Sequence, residues 1–217
     1  MNTGDTAFMM ICAALVFFMT PGLAFFYGGL VRRKNVCNTI MACVAIMGLS
    51  VVMWTLFGYS LSFGGNHAGI IGDFRWFGLN GVGMEAGPYA DSIPHLVFCA
   101  FQMMFAMITP ALITGSLVGR MKFKALFLFV AIWSVIVYYP MAHMVWGDGG
   151  FLAAIGSVDF AGGDVVHISS GISALVLAII LGRRRGYEHT TYRIHNIPSV
   201  VLGASLLWFG WFGFNAG

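Results

Sequence analysis

Residues 159–182 read DFAGGDVVHISSGISALVLAIILG, and after Asp164 no charged side chain occurs until Arg183. The uncharged part, 165–182, holds the roughly 17–25 apolar residues that a membrane-spanning helix requires, and at 1.5 Å per residue it covers about 27 Å. That is slightly less than the ~30 Å hydrocarbon core, so its outer end is expected below the membrane surface. The segment 159–163 then has to dip inward, and non-helical backbone is tolerated at that depth only where protein or a water-filled cavity surrounds it. His167 stands at the start of this span. An ionisable side chain in such a position is costly and is by default a candidate for a substrate pathway or proton transfer.

The rest of the chain repeats the pattern. Hydrophobic residues make up 59% of the 217 and charged residues 9%, where soluble domains carry about a quarter charged. All nineteen charges fall between six uncharged stretches, at 6–31, 35–66 (partly loop), 92–119, 125–147, 165–182 and 196–217. The expected fold is all-α, a polytopic membrane helical bundle of six spans. Ten of the eleven basic residues share one side: Arg32, Arg33 and Lys34; Arg120, Lys122 and Lys124; Arg183, Arg184, Arg185 and Arg193. Only Arg75 lies on the other, with Asp5, Asp73, Glu85, Asp91, Asp148, Asp159 and Asp164. Basic loops stay on the cytoplasmic side, which places the N-terminus outside.

A retained first helix is expected here and not a secretory signal, because the first ten residues lack a basic region and the apolar stretch after them is too long for a signal core. Cys12, Cys43 and Cys99 lie in the spans and Cys37 beside an inner loop, without metal-type spacing, so no disulfide framework, metal site or cofactor is expected. The net charge of +3 arises from the inner loops, where attraction to anionic membrane lipid accounts for it without nucleic acid. Glycines in the spans, at 22, 28, 29, 115, 171, 210 and 213, allow close helix approach. Pro21, Pro110 and Pro140 are expected to kink their spans. The outer connection 64–91 is expected to be irregular, with turns.

Five motifs in order give the chain a resemblance. They are YGGLVRRKN at 27–35, Phe101, Gln102 and Phe105 in the third span, AHMVWG at 142–147, DFAGGDVVH at 159–167 and GWFGFNAG at 210–217. Together they resemble the ammonium transporter (Amt/Rh) family. The resemblance implies an eleven-helix transporter of two inverted five-helix halves, of which residues 1–217 would supply the first half and the first helix of the second. The chain would then be the N-terminal part of a longer protein. The remainder would hold a second pore histidine, a polar outer-site residue and a cytoplasmic tail.

The same resemblance implies roles for single residues. Phe105 and Phe214 correspond to a stacked aromatic gate, and Phe105 with Trp146 to an outer site that recruits ammonium. An aromatic face attracts a cation by about 0.5–2 kcal/mol, strongest for Trp, which suits transient capture. Asp159 corresponds to an acidic residue near that site, acting through its field and by accepting backbone N–H groups; plain helix capping is the alternative, worth about 0.3–1 kcal/mol. Asp164 is the better placed N-cap by position. His167 corresponds to the first of two pore-lining histidines able to relay a proton. His143 reads as structural, and His189 and His195 belong to the basic inner loop. Read singly, Trp146 fits an interfacial belt and the two phenylalanines lipid-facing or core filler better than a site; only the family register favours the site.

The resemblance implies ammonium or ammonia transport across the cell membrane for nitrogen uptake, by a homotrimer open to a PII-type regulatory protein. An ammonium sensor with a cytoplasmic output module would carry the same sites. A membrane hydrolase using Asp159 and His167 lacks a nucleophile motif such as Gly-x-Ser-x-Gly, so no enzyme activity is expected.

Overall fold

Asn2 starts the first helix, its side-chain oxygen accepting the N–H groups of Gly4 (2.8 Å) and Asp5 (3.3 Å). This cap satisfies donors that have no partner within the helix, and Asp5 in the first turn complements the positive end of the helix dipole. The span therefore begins ahead of the boundary expected at residue 6.

The computed structural model describes residues 1–184, 186–187 and 191–217, so Arg185 and His189 of the inner loop lie outside the described residues. Six helices among the described residues are long and apolar enough to cross a membrane: α1 (Thr3–Leu30), α2 (Arg33–Phe63), α3 (His95–Leu117), α4 (Phe123–Ala154, with a turn at 147–150), α5 (Gly163–Leu181) and α6 (Ile197–Ala216). Three of them widen for one turn into π-helix, at Trp54–Gly58, Ser134–Tyr138 and Gly163–Ile168. Such turns insert a residue into the helical register and re-aim the side chains beyond it. Pro21 and Pro110 stay inside continuous helices. Pro140 comes just after the π-turn of α4, which lies where the missing proline N–H opens the hydrogen-bond ladder.

α1 and α6 form the most intimate pair, running antiparallel along a glycine seam. A Cβ on Gly203 would stand 2.3 Å from the backbone nitrogen of Phe26, and one on Gly213 2.7 Å from the carbonyl of Cys12. Hydrogen bonds from Asn196 N–H to Gly29 O (3.0 Å) and His195 N–H to Val31 O (3.1 Å) close the inner end of the seam. Of the glycines expected at helix contacts, Gly22, Gly29, Gly210 and Gly213 serve this seam and Gly115 receives the ring of Tyr27. Gly171 does not: nothing lies within 4 Å of its would-be Cβ. Gly203 joins the seam although spacing alone does not single it out, because spacing does not show which face meets a partner.

The outer connection is more ordered than its composition suggests. It contains a short 3₁₀ turn, Phe77–Leu79, and a two-stranded antiparallel hairpin, β1 (Ala86–Gly87) and β2 (Ala90–Pro94). Trp76 stacks on buried Tyr59 (5.3 Å) and meets His95 edge-on (4.8 Å), while the Tyr59 hydroxyl lies 2.5 Å from His95 Nε2. Burial alone would raise the Asp73 carboxyl, but N–H groups of Arg75 and Gly65 and the Arg75 guanidinium (3.0 Å) hold it below its usual range.

Candidate functional site: an aromatic vestibule above a histidine

α3, α4, the segment before α5 and the end of α6 converge on a cavity of about 400 Å³, bounded by Phe105, Trp146, Phe214 and Gln102. Phe105 and Phe214 are both buried and their ring centroids lie 4.5 Å apart. Their planes meet at 49°, so the two rings lie one against the other in a tilted arrangement. Trp146 meets Phe105 edge to face at 5.9 Å and 78°. These rings come from three separate helices, and only the bundle brings them together.

Asp159 organises the approach to α5. One carboxylate oxygen accepts the N–H groups of Gly162 (2.6 Å) and Gly163 (2.8 Å), and the other those of Asp164 (2.8 Å) and Val165 (3.0 Å). Its backbone carbonyl accepts the indole N–H of Trp146 at 3.0 Å. One residue thus caps the helix and fixes the rim of the vestibule. The expectation that Asp164 is the N-cap is corrected here: its side chain instead accepts the hydroxyl of Ser157 (2.7 Å). The reason is the backbone at Gly162, whose φ of 92° turns four successive N–H groups toward Asp159. A Cβ there would lie 2.7 Å from Val166 Cγ2, so Gly162 is required both by conformation and by space.

The π-turn Gly163–Ile168 carries His167, whose N–H reaches back to Gly162 O at 2.9 Å. The extra residue places the imidazole beside Phe214 (6.0 Å between centroids) and stacked on Trp211 (5.5 Å, 11°). The rings are therefore met in the order Trp146, Phe105, Phe214, His167. The motifs assign no role to Trp211, and its place within GWFGFNAG is the one sequence signal that could have marked it. Gln102 Oε1 is buried without a partner among the described residues. His143 is fully buried, its Nδ1–H donating to Ser62 O at 3.0 Å, in keeping with a structural role. Among the described residues, no group of three His, Cys, Asp or Glu side chains is placed to hold a metal.

Six spans, a helix start re-aimed by a carboxylate and a cavity walled by aromatic rings define a polytopic membrane protein with an aromatic vestibule leading to an imidazole. The description of the Ammonium Transporter Family matches residues 7–217, and the chain belongs to that family. It is 51% identical over 217 residues to an ammonium transporter of Bacillus subtilis, covering 100% of this chain and 53% of that protein. Its structure resembles the crystal structure of Candida albicans Mep2 with a TM-score of 0.89 at 33% identity, over 99% of this chain and 48% of the other. A solved sensor Amt protein is similar too, with a TM-score of 0.85 at 31% identity, over 96% of this chain and 53% of that one. The chain thus spans about half the length of these relatives.

Proposed function

We propose that residues 1–217 form the first five-helix half, plus the first helix of the second half, of a transporter that moves ammonium or ammonia across the membrane. The observation that carries this reading is the unbroken contact series Trp146, Phe105, Phe214, His167, with Asp159 tethering its outer member. Ammonium is drawn to the outer rings, where a cation–π contact returns about 0.5–2 kcal/mol. Taking the ion into a dry pore costs several kcal/mol, more than that contact supplies, and burial lowers an amine's pKa by up to about 3–5 units. Deprotonation below the Phe105–Phe214 gate is therefore the cheaper route, with the His167 imidazole taking up and relaying the proton while neutral ammonia continues along the pore. Asp159 acts through its negative field and by holding Trp146. Potassium has no proton to shed, so the same barrier excludes it.

The test is methylammonium uptake in a transport-deficient strain, with the protein at its natural full length. Trp146→Ala is expected to raise the half-saturating concentration and His167→Ala to depress the maximal rate, each several-fold. Uptake indifferent to both substitutions would remove the reading. The likeness to the sensor Amt protein favours one alternative, an ammonium sensor. It predicts ammonium binding by correctly inserted protein without uptake. By family resemblance the working form is a homotrimer in the cell membrane, and the distribution of basic residues supports an N-terminus outside. The inner basic loops carry exposed Arg33, Lys34, Lys122 and Lys124, which could meet membrane lipid or a PII-type regulatory protein.

A further inference from the structure

Tyr89 lies in the two-residue link between β1 and β2, outside every spanning helix, yet it touches three elements that shape the vestibule. Its ring stacks on Phe98 of α3 at 5.3 Å and 6° and meets Phe63 of α2 edge-on at 5.0 Å. Phe63 and Phe98 are themselves 5.2 Å apart, so the three rings form a closed set lining the outer half of the cavity. The hydroxyl works in both directions: it donates to Phe63 O at 2.8 Å and accepts the N–H of Asp148 at 3.1 Å.

The two hydrogen bonds act where the helices have run out of their own partners. Phe63 is the last residue of α2, and Asp148 lies just past the end of the α4 segment Tyr139–Trp146. A helix leaves its last carbonyls without donors, and the chain beyond it needs an external anchor to hold one position. Trp146 is therefore gripped from both directions, by Asp159 O on its indole nitrogen and by Tyr89 on the backbone two residues onward.

We infer that Tyr89 is a positioning residue of the vestibule: its hydroxyl ties the end of α2 to the turn after α4 and so sets the placement of Trp146 over Phe105. The inference rests on the functional reading above, in which Trp146 receives the cation. Tyr89 does not touch the reacting atoms, and its ring by itself supplies only wall. Capture of the cation should depend on this hydroxyl, whereas passage below the gate should not.

Full-length protein carrying Tyr89→Phe keeps the ring wall and loses both hydrogen bonds, while Tyr89→Leu loses both ring and hydroxyl. Each is compared with wild type, with Trp146→Ala, and with Arg75→Gln as an outer-loop control that lines no part of the cavity. Two readouts are used: methylammonium uptake, and ammonium chloride binding to detergent-solubilised protein followed by intrinsic tryptophan fluorescence. Tyr89→Phe is expected to raise the half-saturating concentration in both by about three- to tenfold, the range for losing one or two net hydrogen bonds, with maximal uptake retained. Arg75→Gln should match wild type. A Tyr89→Phe protein with wild-type values in both assays, alongside an impaired Trp146→Ala, overturns the positioning role and leaves the functional reading intact. If only Tyr89→Leu is impaired, the ring acts as wall and the hydroxyl role is overturned. Wild-type protein that neither binds nor carries the amine removes the reading and this inference together.

Discussion

Asp159 shows how much one side chain can hold. Its two oxygens accept four backbone N–H groups, and an amide cannot do the same, because the nitrogen of Asn is a donor facing donors. Asp159→Asn should leave two of those N–H groups unpaired, at about 1–3 kcal/mol each. The expected result is a lower unfolding temperature in detergent together with reduced uptake. An unchanged melting point would mean that water replaces the lost oxygen. That Asp159 accepts backbone N–H groups at the entrance to α5 was already implied by the family resemblance and by its place before an uncharged span. That the Asp164 side chain takes no part in the cap was not legible, because the outcome depends on the left-handed turn at Gly162, and a shift of a residue or two in where a helix starts lies beyond positional preference.

Among the elements, α1 and α6 depend most on each other. Their contact leaves no room for a methyl group at Gly203, where the would-be Cβ lies 2.3 Å from a backbone nitrogen that cannot rotate away. Gly203→Ala should therefore force the helices apart and destabilise the fold. Gly48→Ala in α2 has nothing within 4 Å of the new carbon and should stabilise by about 0.5–1 kcal/mol through helix propensity. Thermal unfolding of the two variants in the same detergent compares them directly, and equal melting temperatures would contradict the seam. The π-turn that carries His167 is the other feature of this scale. Its sequence, GDVVHI, has no property that separates it from an ordinary first helical turn, and the widened geometry arises because the Val166 and His167 N–H groups both reach Gly162 O.

For the whole molecule, the charge asymmetry makes a prediction about sidedness. Cys37 is exposed at the inner end of α2, whereas Cys12, Cys43 and Cys99 are buried. A membrane-impermeant thiol reagent should leave the protein unlabelled in intact cells and modify Cys37 in inside-out vesicles. Labelling of intact cells would reverse the proposed orientation. The exposed apolar side chains of α5 and α6, among them Ile172, Ile179, Trp208 and Phe212, belong to surfaces that water would not solvate in a working protein.

The sequence by itself determined the number of spans, the all-helical class and the sidedness expectation, because apolar runs of this length cross hydrocarbon as helices and basic loops resist translocation. It also carried the motifs in which Phe105, Trp146, Asp159, His167 and Phe214 could be picked out. Their meeting in one cavity, the tilt of the two phenylalanines, the four-fold grip of Asp159 and the anchoring by Tyr89 were decided only by the tertiary structure. Each of these depends on helices distant in sequence arriving at one place. Local residue preference holds no information about that arrival, which is settled by packing among glycine faces, aromatic rings and helix ends that need partners.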